Sequence, residues 1–208
     1  MVKYGLLIAK TNNLGDDIQS LAAKQFLPRV DYYIDRDNPK ICCTDERVKV
    51  IMNGWFTHKP DTWMPSPQIE PLLISFHVSP DIAWRFLRKP IIEYLKNHEP
   101  IGTRDTWTEK LLNKYGIKSY FSGCLTLTLS YKYGPVKKKD KVLLIDISES
   151  IEKDIINIFS RKGFEIKSYT HFFVVPVITI LKKIKMRLVF ENSTDYFVNT
   201  TMKKKEVN

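Results

Sequence analysis

The sequence predicts an α/β protein whose main part is a Rossmann-like parallel sheet. Short, continuous apolar runs of strand length recur along the first 130 residues, and helical patterns separate most of them. Strand, turn and helix units joined in this way give a parallel sheet with helices on both faces. Hydrophobic residues make up 43% of the 208 residues, so the chain is long and apolar enough to bury a sizeable core.

Four strands are predicted from runs rich in apolar residues, the first of which is continuous, and a shorter fifth strand ends at Gly102. The runs cover residues 4–9, 30–34, 47–52 and 72–76. Apolar residues at helical spacing predict helices over residues 17–26, 80–87 and 91–97. Ser79 and Pro80 suit the cap and the first position of the second of these helices. Strands and helices therefore fill most of the first 130 residues.

A further helix is predicted over residues 107–115. Thr106 begins a Thr-x-x-Glu capping box, in which the hydroxyl and the carboxylate satisfy two backbone N–H groups at the helix start. Trp107, Leu111 and Tyr115 recur at spacing four, which predicts one apolar stripe along the helix. The pattern therefore places the buried face of this helix on those three residues.

The composition changes after residue 130. Residues 1–130 are predicted to form the Rossmann-like N-terminal lobe, and residues 131–141, with Gly, Pro and a lysine run, have the composition of a linker. Residues 142–208 restart a strand, helix and strand pattern and end in a basic tail. This stretch is short for a second α/β lobe, so we expect that lobe to be partial.

The net charge of +10 lies mainly in the C-terminal third of the chain. Residues 132–208 hold 16 Lys and Arg against 9 Asp and Glu. Their short lysine runs carry no stacking aromatic residues, which does not favour a nucleic-acid partner. Three cysteines without ligand spacing indicate neither a disulfide framework nor a zinc site. No apolar run approaches the length of a membrane span, so we expect a cytoplasmic protein without a transmembrane segment.

Polar residues follow directly after the predicted strands. They are Asp35, His77 and the segments 12–16, 53–55 and 102–104. Ligands of open parallel sheets bind outside the carboxyl ends of the strands, so we expect these residues to line one crevice. An arginine in this place offers a fork of donors for a carboxylate or phosphate, and a histidine offers acid and base chemistry.

Each of these residues also has a purely structural interpretation. Arg104 can pair with a neighbouring acid on the surface, and His77 can be a packed, hydrogen-bonded core residue. Asp16 is explained by helix capping, and Asn53-Gly-Trp55 by an ordinary turn. The residues alone leave these alternatives open.

Three short motifs lie in order along residues 1–130. The longest is Ile-Gly-x-Arg-Asp-x-x-Thr-x-x-Leu-Leu-x-x-x-Gly-Ile over residues 101–117, followed by Ser-Gly-Cys-Leu-Thr-Leu-Thr-Leu from Ser122. Asn13, Gly15 and Asp16 form an Asn-x-Gly-Asp segment, and the third motif is Met-Asn-Gly-Trp, which ends at Trp55. As an ordered set these motifs resemble the polysaccharide pyruvyl transferase family.

The resemblance implies a two-lobed plan like that of glycosyltransferases of the GT-B type, with a cleft between two Rossmann-like lobes. Members ordinarily carry an Arg-Leu-His type segment in the second lobe, and nothing after His171 matches it. We therefore expect a truncated or divergent second lobe, with an oligomer or a partner chain as one way to complete the cleft.

The resemblance also implies transfer of a pyruvyl group from phosphoenolpyruvate to hydroxyls of a sugar in surface polysaccharide synthesis, with no cofactor and no metal. The implied catalytic residues are Arg104, which binds the anionic donor, His77 as acid or base, and Asp105, which orients the substrate. The implied substrate-binding residues are Asn13, Gly15, Asp16, Asn53, Gly54, Trp55, Gly102 and Thr103.

Two other classes of function remain open at this stage. One is a glycosyltransferase that uses a nucleotide sugar on the same two-lobed plan. The other is a non-catalytic remnant that binds a glycan or a partner protein.

Overall fold

The chain forms two compact units in the computed structural model, which describes residues 1–41, 45–134 and 140–170. The first unit consists of Met1–Lys10 and Asp16–Gly134, and the second of Thr11–Gly15 and Pro135–Asn208. The first unit contains the large sheet, and the second contains a small one.

Six parallel strands form the sheet of the first unit, which confirms the predicted Rossmann-like α/β class. The strands are Lys3–Ile8 (β1), Tyr32–Asp35 (β2), Val48–Trp55 (β3), Ile69–His77 (β4), Ile101–Thr103 (β5) and Ser119–Phe121 (β6). Their order across the sheet is β2-β1-β3-β4-β5-β6. The sequence predicts the first five, whereas β6 has only three residues and no apolar run to mark it.

Helices connect most of these strands. They are Leu14–Lys24 (α1), Ala83–Phe86 (α2), Lys89–Lys96 (α3), Thr106–Lys114 (α4) and Ser130–Tyr133 (α5), with single 3₁₀ turns at Pro80–Ile82 and Leu125–Thr128. Within the described residues, no helix is long and apolar enough to cross a membrane.

Apolar residues cover both faces of the sheet. Neighbouring residues of a strand point to opposite faces, and Leu6 and Leu7 of β1 belong to two different buried clusters. Leu7 belongs to the larger cluster, which includes residues of α3 and α4. Leu6 packs with Ala22 and Ala23 of α1. The interior is therefore closed on both sides, and polar groups are left to the edge where the strands end.

Helix α4 begins one residue earlier than the sequence predicts, so the capping box at Thr106 is wrong. Asp105 is the cap: its backbone is extended, and its carboxylate accepts the N–H of Thr108. The buried face is shifted as well, because Thr108 and Leu112 are fully buried while Trp107 is 40% exposed. Aspartate ranks above threonine as a helix cap, and the bond of Asp105 to His77 of the neighbouring strand adds to this preference.

A buried ion cluster joins the start of α1 to the end of β2. Nη1 of Arg36 lies 2.5 Å from a carboxylate oxygen of Asp16, and its Nε lies 3.0 Å from one of Asp37. All three side chains are less than 10% exposed. Burial opposes the charge of Arg36, but its bonds to the two carboxylates leave its pKa above the ordinary value. The cluster therefore fixes where α1 leaves the sheet.

The second unit holds a strand, helix and strand. Strands Lys141–Ile145 (β7) and Glu165–Tyr169 (β8) pair in parallel, and Glu149–Ser160 (α6) connects them. Ser148 occupies the predicted cap position of α6, without a side-chain capping bond. The partial second lobe is predicted over residues 142–208, and its last part with the basic tail, residues 171–208, lies outside the described residues.

Replacing Arg36 with methionine is expected to lower the free energy of unfolding by about 3–5 kcal/mol, because two buried carboxylates then lack their cation. Urea denaturation monitored by circular dichroism measures this loss. Arg85→Met is the matched control, since Arg85 pairs with Asp61 on the surface and both side chains are nearly half exposed. Equal losses for the two variants would show that the Arg36 cluster does not stabilise the fold.

Candidate active site

The carboxyl ends of the parallel strands carry most of the predicted site residues. Asp35, Trp55, His77 and Thr103 are the last residues of β2, β3, β4 and β5. Arg104 follows β5 directly, and its backbone N–H donates to the carbonyl of Phe76 in β4 at 3.0 Å. The parallel topology thus brings residues distant in sequence to one edge of the sheet.

Three of these residues form a row across neighbouring strands. Trp55 of β3 pairs in register with His77 of β4. Phe76 pairs with Thr103, so the next residues along, His77 and Arg104, stand side by side. We call Trp55, His77 and Arg104 the site row.

A carboxylate holds the imidazole of His77. Nδ1 of His77 lies 2.6 Å from Oδ2 of Asp105, and the two side chains are 20% and 35% exposed. The hydroxyl of Thr108 donates to the same oxygen at 3.0 Å and accepts the N–H of Val78 at 3.3 Å. An ionised carboxylate accepts from an N–H on Nδ1, which leaves Nε2 as the acceptor. Nε2 makes no hydrogen bond with the described residues, and the imidazole side chain is partly exposed.

The surroundings lower the pKa values of both His77 and Asp105. Burial lowers the pKa of His77 and outweighs the bond to Asp105, and the charge of Arg104 lowers it further. Burial works against ionisation of Asp105, but its bonds to Thr108 and His77 bring its pKa below the ordinary value. The pair therefore favours a neutral imidazole beside an ionised carboxylate, the arrangement of a general base.

Arg104 is the cation beside this pair. Its side chain is half-buried. Its guanidinium makes no hydrogen bond or ion pair with any residue in the described ranges, although its charge acts on His77. The alternative of a surface pair with Asp105 is not what the structure contains, because Asp105 bonds to His77 and Thr108. The side chain is therefore available to an anion.

Asn53 and Gly54 pack against α1. The amide of Asn53 donates to the carbonyl of Gln19 at 3.0 Å, and the residue is only 4% exposed. Gly54 has a φ of +131°, and a Cβ there would lie 2.6 Å from Oε1 of Gln19. Trp55 lies edge-on to His58 at 5.9 Å. Of the predicted Asn-Gly-Trp segment, only Trp55 therefore stands in the site row.

Gly102 and Thr103 are buried positions of β5. A Cβ on Gly102 would come within 3.0 Å of Cβ of Ser122 and 3.1 Å of the side chain of Ile74. Thr103 is fully buried, and its hydroxyl donates to the carbonyl of Tyr120. Neither residue presents a side-chain group at the edge of the sheet, so their place in the motif is explained by packing.

The Asn-x-Gly-Asp segment is divided between the two units. Asn13 and Gly15 belong to the second unit, where Oδ1 of Asn13 accepts the N–H of Gly15 at 2.8 Å. Asp16 belongs to the first unit and to the buried cluster with Arg36. A small cavity at the end of β1 is lined by Asp16, Arg36, Gln19 and Asn53, which already bond to one another in two pairs. The carboxylate of Asp16 therefore stabilises the fold and does not lie in an exposed site.

Sequence reasoning missed two polar residues, Thr108 and Arg36. The Asp-x-x-Thr spacing of Asp105 and Thr108 is a signal that could have found the first, because it matches a cap and its third helical position. Arg36 follows β2 as Arg104 follows β5, but nothing in its neighbourhood in sequence distinguishes the two.

The family model described as Polysaccharide pyruvyl transferase matches residues 13–194. The match extends past residue 130, where the recognised motifs end, and covers most of the chain. Comparisons with curated proteins and with solved structures found no match. The row of Trp55, His77 and Arg104 thus lies within the matched region, and the chain belongs to the polysaccharide pyruvyl transferase family.

Proposed function

We propose that this protein transfers a pyruvyl group from phosphoenolpyruvate to two hydroxyls of a sugar in polysaccharide synthesis. One observation carries the proposal: the bonded pair of His77 and Asp105 lies beside the guanidinium of Arg104, and this guanidinium has no partner in the described residues. Because phosphoenolpyruvate is a cytoplasmic metabolite, the proposal places the protein in the cytoplasm.

Arg104 binds the donor in this proposal. Phosphoenolpyruvate carries a carboxylate and a phosphate, and a guanidinium offers a planar fork of donors to either group. Its position beside His77 brings the donor carbon near the imidazole. Trp55, on the other side of His77, provides an aromatic surface against which a sugar ring can lie.

His77 moves the proton. Nε2 takes the proton of the first sugar hydroxyl as its oxygen bonds to C2 of the donor. The electron pair of the C2–C3 double bond moves to the methylene carbon, which takes that proton from the imidazolium and becomes the methyl group. The second hydroxyl then adds at C2 as the C2–O bond to phosphate breaks, and its proton leaves with the phosphate. The products are a cyclic ketal and inorganic phosphate. Asp105 stabilises the imidazolium between the two proton transfers.

Arg104→Ala is expected to lower kcat/KM for phosphate release from phosphoenolpyruvate, with a glycan acceptor present, by about 30-fold or more, since one charged contact to a reacting anion contributes about 2–4 kcal/mol. Arg85→Ala, at an exposed arginine of the same unit, should leave the rate unchanged. Phosphoenolpyruvate should raise the melting temperature of the native chain but not of Arg104→Ala. Stabilisation by a nucleotide sugar instead would contradict the donor assignment.

Asp105→Asn is expected to lower kcat by about 100-fold or more while keeping α4 intact, because asparagine also caps a helix but its amide favours the wrong imidazole tautomer. Phosphate release measures the rate, and thermal unfolding measures the fold. Asp105→Ala is the comparison that loses the cap as well, and its melting temperature should fall. An unchanged kcat for Asp105→Asn would remove Asp105 from the mechanism.

The pKa of His77 is expected to move in opposite directions in two variants. Arg104→Gln removes a nearby positive charge and should raise it, whereas Asp105→Asn removes a negative charge and should lower it. Titration of the imidazole by NMR, assigned with His77→Gln, measures both. In the native chain the pKa lies below 6.5, so the unfolded chain binds this proton more readily and stability falls as the pH drops through 6.5. Shifts of the same sign would contradict the described geometry.

A further inference from the structure

Strand β4 changes the face of its side chains before it reaches His77. Side chains of a strand alternate, so residues on one face are an even number apart. Ile69 and Leu73 are four apart, and both belong to the larger buried cluster. Phe76 and Val78 also belong to that cluster, but Phe76 is three residues after Leu73. One extra residue therefore lies between Leu73 and Phe76.

The pairing with β3 locates this insertion. Met52 pairs with Leu73, and Gly54 pairs with Phe76, so three steps along β4 match two steps along β3. Between these pairs Ser75 has a φ of +52°, in the left-handed region that side chains other than glycine rarely adopt. This is the geometry of a β-bulge, which re-aims the side chains that follow it.

The segment after β6 holds the bulge in place. Ser75 is 2% exposed, and its hydroxyl donates to the carbonyl of Gly123 at 2.9 Å. The backbone N–H of Ser75 donates to the hydroxyl of Ser122 at 3.2 Å, and that hydroxyl lies 3.0 Å from the carbonyl of Thr103. The backbone N–H and the hydroxyl of the irregular residue are therefore bonded, which offsets the cost of its backbone conformation.

Without the insertion, the site row would contain a different side chain. Continuing the pairing of Met52 with Leu73 at equal steps would place Phe76 beside Trp55 and turn His77 to the opposite face. A shift of one residue moves every later side chain to the other face. The bulge thus sends Phe76 into the core and His77 to the position beside Arg104.

We propose that Ser75 is the positioning residue of the site, whose left-handed backbone sets the face of β4 on which His77 stands. Its effect on the rate rests on the proposed function, whereas its effect on the placement of His77 does not. Two variants separate the backbone from the hydroxyl. Ser75→Gly keeps the left-handed conformation and loses the bond to Gly123, and Ser75→Thr keeps a hydroxyl but resists positive φ.

Ser75→Gly is expected to keep the rate of phosphate release within about threefold of the native rate, because glycine keeps the left-handed backbone and the structural change is small. Ser75→Thr should lower kcat by about tenfold or more, since a left-handed conformation costs a side-chain residue about 1–2 kcal/mol and a β-branched one more. The KM for phosphoenolpyruvate should change little, because Arg104 stays in place. Ser66→Thr adds the same methyl group at another buried serine and should keep the native rate.

The NMR titration of His77 tests the placement without any turnover. The imidazole of Ser75→Gly should titrate as in the native chain, and that of Ser75→Thr should move toward the ordinary histidine value as it leaves its buried place. A folded Ser75→Thr with native titration and native kcat would overturn the proposal. A Ser75→Gly variant whose His77 titration departs from the native curve would overturn it as well. This second test does not require Ser75→Thr to fold or phosphoenolpyruvate to be the donor.

Discussion

The carboxylate of Asp105 serves the fold and the site at the same time. Oδ1 accepts the N–H of Thr108 at 2.8 Å and so begins α4, while Oδ2 lies 2.6 Å from Nδ1 of His77. A helix start is a rigid anchor for such an oxygen, because the backbone N–H groups of the first turn fix its direction. The orientation of the imidazole therefore depends on where α4 begins, and Asp105, as the cap, determines that position.

The availability of Arg104 follows from the same constraint. The acid next to it in sequence already bonds to a helix start and an imidazole, and no other acid in the described ranges reaches its guanidinium. Its charge then acts through space on His77 and favours the neutral ring. A neutral imidazole beside a guanidinium without an ionic partner is a stable combination in the absence of ligand. A bound anion would supply the negative charge that the guanidinium lacks. In the proposed reaction, binding of an anionic donor would therefore raise the pKa of His77 toward the value that proton transfer needs.

The sequence predicted the sheet and the edge of the site well, and the details of the site poorly. Central strands such as β1 and β3 are largely buried and appear in the sequence as runs rich in apolar residues, and the residue after a parallel strand must lie at the carboxyl edge. The local Asp-x-x-Thr spacing is compatible with a cap at Asp105, but the bond of Asp105 to a histidine 28 residues away is contained in no local pattern. The bulge at Ser75 could not be predicted either, because serine is not the residue type that positive φ favours. Register, unlike strand identity, is decided by the neighbouring strands.

Two arginines show why a motif alone does not locate a site. Arg36 and Arg104 each follow a strand of the same sheet, at the same edge. Arg36 is 4% exposed between two carboxylates, so its donors are used inside the protein. The acid beside Arg104, in contrast, is held by His77, and this leaves the guanidinium to a ligand. The difference lies in the partners of the neighbouring acids rather than in the arginines, and only the packed strands determine those partners.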